Sequence, residues 1–500
     1  MTVTAFDWNA LAPSLVLLAT LCVALVFDMG SPVRWARPTG WAVVVGMLVS
    51  GVVACAAVED VAISFGARQG GALVSVFKVD AYTRGFTVIF LLGGMLSALL
   101  SMEFLRRHEI ERGEYYILLV ASLLGMVLMA GANDLLLVFL GLELLSLPLY
   151  ILAGFLRDAR SSESSLKYFV LGAFSSAIFL YGMALVYGAV GSTNLEEIAR
   201  SAGPSPLLRA GIALLVVGFG FKAAAVPFHQ WAPDVYQGAP TPATAFFMCA
   251  PKVAAFAGLV RVFIASPATL SADWRFVFAL LAAATMTVGN LVALTQTNVK
   301  RMLAYSSIAQ AGYVLVALAA GAAAVQSAMF YLLAYTLMTV GAFGVLILNG
   351  FAAGEGDDDE RLMLEDFAGL GLRRPVLGAA MAVLMLSLTG FPPTVGFIGK
   401  FLIFRDAYDA GLTWLVVVGV LNSVVSAFFY LGIVVQMYMV EPRRVVAAEK
   451  VRTVGRGLVV AVLVLAVVGV LWGGSAPTTL MRAARMEAVA AEAGRTVSVR

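Results

Sequence analysis

Five ionisable residues stand inside long apolar runs: Glu143, Lys167, Lys222, Lys252 and Lys400. Glu143 lies nine residues past Asp134, about 13 Å down a helix at 1.5 Å per residue, and Lys252 lies eleven past Thr241, about 16 Å down another. Both depths are near the middle of a hydrocarbon core about 30 Å thick. Lys222 directly precedes the proline-broken segment AAAVPFHQWAP, Lys400 directly follows TGFPPTVGFIG, and Lys167 sits in the first turns of its run. A Lys or Asp at a helix centre costs about 2.5 to 3.5 kcal/mol on insertion scales. Five such groups cost on the order of 12 to 18 kcal/mol, against a total fold stability of about 5 to 15. A chain keeps them for use, although snorkelling or a static ion pair would account for one near a helix end, as Lys167 is.

The chemistry open to an enclosed lysine is proton exchange. The free amine titrates near 10.4, and burial disfavours its charged form by up to about 3 to 5 units. A carboxylate such as Glu143 beside it favours the charge, and withdrawing that carboxylate releases the proton. About 3 units correspond to about 4 kcal/mol, comparable with moving one proton against about 180 mV. Sodium would call for clustered carboxylate and carbonyl oxygens, whereas these groups are mostly cationic. His229, two residues past Pro227, is a further candidate, either handing protons onward or bonded to freed carbonyls. Lys300 enters a run beside Arg301 from the positively charged side of the membrane, where basic residues are ordinary; it too is kept as a candidate.

The elements that must position these groups follow from composition. Of 500 residues, 61% are hydrophobic and 13% charged, about half the usual charged share. Soluble multidomain folds, disorder, collagen and coiled coil are excluded, as is nucleic-acid binding, because the net charge of +3 is dispersed rather than gathered on one face. Cys22, Cys55 and Cys249 are far apart, and His108 and His229 are the two histidines. An iron–sulfur cluster, structural zinc, multi-haem or binuclear copper centre is therefore not expected. Neither a Walker A motif nor a dinucleotide fingerprint occurs, and the run EGDDDE at 355–360 reads as a solvated acidic loop, not a metal site.

Fourteen apolar runs of spanning length recur, near 9–28, 40–58, 84–102, 115–131, 134–156, 166–190, 207–227, 241–263, 275–295, 302–321, 325–349, 375–404, 411–439 and 457–474. The expected fold is all-α: a polytopic membrane protein of about fourteen helices. Pro227 and Pro233 break the seventh run and Pro392 and Pro393 the twelfth, and broken helices at membrane depth need a protein or wet surround. These breaks are five spans apart, and an odd repeat length inverts the second copy, as in many ion-coupled transporters. The expected organisation is a three-helix segment at 1–110, a first repeat at 111–264, an inverted second repeat at 265–440, and a last helix with its tail at 441–500. Loops after odd-numbered spans hold seventeen Lys and Arg against twelve on the other side, which places both termini outside. MTVTAFDWNA has no basic n-region, so the first run is expected to stay as a span.

The segments that carry the charges have a family resemblance. GLELLSLPLYIL around Glu143, FKAAAVPFHQWAPDVYQGAPTPATAFF around Lys222, APKVAAFAGLVR around Lys252, KRMLAYSSIAQAGY from Lys300 and GFPPTVGFIGKFLIF around Lys400 resemble the antiporter-like membrane subunits of proton-pumping NADH:quinone oxidoreductase, respiratory complex I. The resemblance covers roughly 80–440. It is strongest to the subunit N branch: Lys400 stands where subunit M typically has Glu, and the sequence stops soon after the fourteenth run, where subunit L continues into a long lateral helix. The resemblance implies that Glu143 is a modulating carboxylate, Lys222 its paired proton carrier, Lys252 a central relay and Lys400 the exit-side lysine, with Lys167 at the family's span 6 site. It also implies that this chain holds no redox group. NADH, FMN, iron–sulfur clusters and quinone would be bound by partner subunits, and its neighbours would be other antiporter-like and small membrane subunits. The absence of a transit peptide favours a bacterial inner membrane, where the loop charges put both termini on the periplasmic side. Two rivals remain at this point: a multisubunit Na+/H+ antiporter, which shares the motifs, and a standalone secondary transporter, which would need a midplane pocket of hydrogen-bonding groups.

Overall fold

The computed structural model describes residues 8–30, 36–56, 65–69, 72–201, 203, 205–264, 268–350, 362–441 and 456–483. The acidic run at 355–360 and the loop at 442–455 lie outside them.

Helices α1 (Trp8–Gly30), α2 (Ala36–Ala56), α3 (Ala81–Arg107), α4 (Gly113–Gly131), α5 (Leu135–Ala153) and α6 (Ala159–Val190) are the first six spans. A short α7 (Leu195–Ser201) leads to α8 (Pro206–Ala223), which stops at the first break, and α9 (Trp231–Gly238) continues beyond it. The eighth span is α10 (Thr241–Met248) followed by α11 (Ala250–Ile264). Then come α12 (Ala268–Ala293), α13 (Val299–Ala320) and α14 (Val325–Gly350). After the short α15 (Leu370–Arg373), the twelfth span is two pieces, α16 (Pro375–Thr389) and α17 (Val395–Asp409); α18 (Thr413–Met439), α19 (Gly457–Ser475) and a terminal α20 (Pro477–Ala483) close the chain. Among the described residues thirteen stretches are long and apolar enough to cross a membrane. With the broken pair α16 and α17, the fourteen expected spans are present.

Two features lie outside the expectation. An antiparallel hairpin, β1 (Phe65–Gln69) and β2 (Ala72–Phe77), joins α2 to α3. It is fixed by Asn133 Nδ2 and Asn194 Nδ2, which donate to the Ser75 carbonyl at 2.8 and 2.9 Å. The eighth span is also broken, at Cys249, whose φ and ψ are −93° and −92°. Pro251 explains the break, since it lacks a donor and its ring crowds the carbonyl four residues before.

The repeat is visible in the bonding. Leu135 N donates to Thr193 O and Leu195 N to Asn133 O, both at 2.9 Å, stapling the start of α5 to the end of the sixth span. The same pair recurs in the second unit, from Val299 N to Leu362 O at 2.8 Å and from Leu364 N to Thr297 O at 2.9 Å. Side chains N-cap both stapled helices, Asp134 accepting from Leu136 N and Asn298 from Arg301 N, as expected for these residue types at a helix start.

One clamp ties the start of α3 to the end of α11. Arg261 Nη1 and Nη2 donate to Asp80 Oδ2 and Oδ1 at 2.6 and 2.8 Å, its Nε donates to Ala130 O at 2.9 Å, and its guanidinium lies 4.3 Å from the Tyr82 ring centroid. Burial raises the Asp80 carboxyl, but the Arg261 charge and the bonds from Arg261 and Thr83 outweigh it and hold the group at about 2. A depressed carboxyl contributes stability that is fully present above its unfolded value of about 3.9 and is lost as pH falls through 2. Breaking such a pair by Asp80→Ala is expected to cost about 3 kcal/mol, read as a lower melting temperature of the solubilised assembly at pH 7. An unchanged melting temperature would show that the clamp is idle.

Candidate proton-relay site

Proline-broken helices leave carbonyls without intrahelical donors, and a buried lysine fills one such gap. Lys400, one turn into α17, donates to Leu388 O at 3.0 Å and Thr389 O at 2.9 Å, the carbonyls freed where α16 stops, and its Nζ is 4.4 Å from the Tyr313 ring centroid. Gln310 Nε2 donates to the same Leu388 O at 3.2 Å and to Tyr430 Oη at 2.9 Å. Tyr430 in turn meets Ser306, and Tyr331 donates to Gln310 Oε1. Next along α13 is Ser307, whose carbonyl and hydroxyl accept from Lys252 Nζ at 2.7 and 2.8 Å. From Lys252 to Lys400 the polar groups therefore form a near-continuous file.

At the other end, Lys222 closes α8 and donates to Ser146 Oγ at 2.8 Å and Tyr168 Oη at 3.1 Å. Glu143, one turn before Ser146 on α5, accepts from Ser176 and makes no direct ion pair with Lys222. It is half-buried, between Leu140 and Leu147, which are 60% and 52% exposed. Lys222, Lys252 and Lys400 are only 2 to 5% exposed. Among the described residues none of the three is ion-paired; their partners are hydroxyls and carbonyls.

Three of the other candidates lie elsewhere. Lys167 is outside the file: its side chain is 41% exposed and pairs with Glu163 at 2.7 Å and Asp234 at 2.9 Å. Asp234 also takes Arg301 at 2.8 Å, so it joins α6 to α13 through α9. Lys300 is buried, against what its place at a helix entrance suggests, and donates to Ala239 O at 2.6 Å and Thr241 Oγ1 at 3.1 Å between α9 and α10. His229 is half-buried, and its Nδ1 has no partner among the described residues. Ser146, Tyr168, Ser306, Ser307, Gln310 and Tyr430 were not singled out in the sequence. A signal existed: YSSIAQ places Ser306, Ser307 and Gln310 at helical spacing inside an apolar run. Among the described residues no three His, Cys, Asp or Glu side chains meet to hold a metal.

The family model described as "NADH:quinone oxidoreductase/Mrp antiporter, TM" matches residues 132–426. The chain belongs to this family. The NADH:quinone oxidoreductase/Mrp match begins just before the stapled start of α5 and takes in Glu143, Lys167, Lys222, Lys252, Lys300 and Lys400. NADH-quinone oxidoreductase subunit N of Trichlorobacter lovleyi is 44% identical over 442 residues, which cover 86% of this chain and 87% of that protein. A chain of respiratory complex I from Thermus thermophilus is 36% identical, with a TM-score of 0.73 over 92% of this chain and 97% of its own. A chain of the Mrp complex from Dietzia sp. DQ12-45-1b, 22% identical with a TM-score of 0.82 over 97% of both chains, shares the fold.

Proposed function

We propose that this chain is a membrane-arm subunit of NADH:quinone oxidoreductase and carries protons across the bilayer along the file from Glu143 and Lys222 through Lys252 to Lys400, driven by quinone reduction in partner subunits. The observation that carries this reading is the state of the three lysines: enclosed at membrane depth and bonded only to neutral oxygens, so that no fixed counter-charge holds a proton on any of them. Glu143 is the carboxylate placed to bias Lys222 through space, and its approach or withdrawal is the step that loads or releases the first amine. The likeness to subunit N chains along most of their length supports the assignment. NADH, FMN, iron–sulfur clusters and quinone belong to the partner subunits, which include neighbouring antiporter-like and small membrane chains. The membrane is the bacterial inner membrane, with both termini periplasmic, and the organisation is a three-helix lead (1–110), two inverted repeats (111–264 and 265–440) and a closing helix with its tail (441–500).

The test uses the assembled complex in its native membrane. Lys222→Ala is expected to lower NADH oxidation and proton uptake together by on the order of tenfold, about 1.4 kcal/mol, and Glu143→Ala by a similar or smaller factor. Wild-type values for both activities in an assembled complex would refute the reading. The shared fold keeps one rival in view, a Na+/H+ antiporter subunit; co-purification with flavin and iron–sulfur subunits and NADH-dependent quinone reduction separate the two.

A further inference from the structure

No hydrogen bond among the described residues carries the file from Lys222, held by Ser146 and Tyr168, to Lys252, held by Ser307. Lys222 reaches the Tyr168 hydroxyl. Beyond it lies the ring of Trp231, stacked on Tyr168 with centroids 4.5 Å apart and planes 5° from parallel. Tyr236 meets Trp231 edge-on at 5.5 Å, and its ring centroid is 5.9 Å from Lys252 Nζ. A relay member must accept one proton as it gives up another. Hydroxyls, amines and imidazoles do so, but an indole offers a single N–H donor and no acceptor. That donor is already committed, from Trp231 Nε1 to Phe221 O at 2.8 Å.

We propose that Trp231 is the barrier that keeps protons from passing between Lys222 and Lys252 at rest. It is a positioning residue rather than a carrier, and the proposal rests on the proton-relay reading above. The element that holds it supports the assignment. Trp231 opens α9, and one turn later Asp234 anchors the same helix to Lys167 and Arg301 at 2.9 and 2.8 Å, while Ser164 Oγ donates to the Asp234 carbonyl at 3.2 Å. The ring and the ionic anchor thus share an eight-residue helix with a break at each end. A shift of α9 that loosens the anchor carries the indole with it and lets water reach both amines.

The experiment uses the complete NADH:quinone oxidoreductase in sealed liposomes with a trapped pH dye, without NADH or quinone, under a potassium/valinomycin potential. Trp231→Ser is expected to raise resting proton influx several-fold over wild type, and Trp231→Phe to raise it less. Adding Lys252→Met to the serine variant is expected to return the influx to the wild-type rate. An assembled serine variant with wild-type influx overturns the proposal, as does a rise that survives Lys252→Met, which would place the leak outside the file. Should the serine variant not assemble, the phenylalanine variant carries the same test with a smaller rise. NADH-driven uptake by Lys252→Met alone judges the relay reading separately, so failure of the barrier and failure of the relay give different results.

Discussion

Lys252→Met is expected to cut NADH-driven proton uptake by on the order of a hundredfold, about 2.7 kcal/mol, while the complex still assembles. Methionine matches the lysine stem in length and removes only the amine. Replacing a buried charge by an apolar group of similar volume is often neutral or stabilising, and Ser307 keeps its own bond to Ala304 O at 2.8 Å. The loss would therefore report transport rather than folding. Among the described residues Lys252 is the one titratable amine between Trp231 and the Ser306–Tyr430–Gln310 series, so no other amine in that stretch can take its place. Lys252→Arg sharpens the test, because a guanidinium cannot be deprotonated in a protein. It keeps the charge and is expected to fail as the methionine does. Wild-type uptake in either variant would remove Lys252 from the path.

The second large effect is steric. A Cβ placed on Gly396 would fall 1.9 Å from Ser387 O and 2.8 Å from Ser387 C, both backbone atoms that cannot swing aside. Gly396→Ala must push α17 away from the last turn of α16. Overpacking of this kind commonly costs about 1 to 3 kcal/mol. Its effect on transport is expected to be larger than that figure suggests, because Lys400 lies one turn along α17 and the carbonyls that hold it, Leu388 O and Thr389 O, directly follow Ser387. Separating the two pieces separates the amine from its acceptors. We expect at least tenfold lower proton uptake or loss of the assembled complex, read by native electrophoresis and dye quenching on the same membranes. Near-normal uptake would show that Lys400 works without those carbonyls.

The sequence made the spans legible because hydrocarbon thickness imposes one length on every crossing, and it made two of the breaks legible because proline cannot be hidden in a helix. It made the charged residues legible because their types are so costly at that depth. The break at Pro251 was obscured by the apolar run that continues on both sides of it. The hairpin was missed because a few alternating residues between two spans are too weak a pattern beside runs of twenty. The neutral members of the file were harder still. Ser307, Gln310 and Tyr430 cost little to bury, so their presence in an apolar helix raises no alarm, and only the packing of α13 against α11, α17 and α18 shows that they face one another. Lys300 is the opposite case: its place near a helix entrance suggests an exposed charge, yet the neighbouring break at Ala239 supplies a buried acceptor.

One helix decides how much freedom the two halves have. Lys300, Arg301 and Ser307, all on α13, grip α9, the turn before α10, and α11 of the preceding half. Swinging one half against the other, as rocker-type carriers do to expose their cargo alternately, would tear three such grips at once. These grips oppose such a swing, so under the proposed function the opening and shutting of a cycle is expected within the short pieces beside the interruptions.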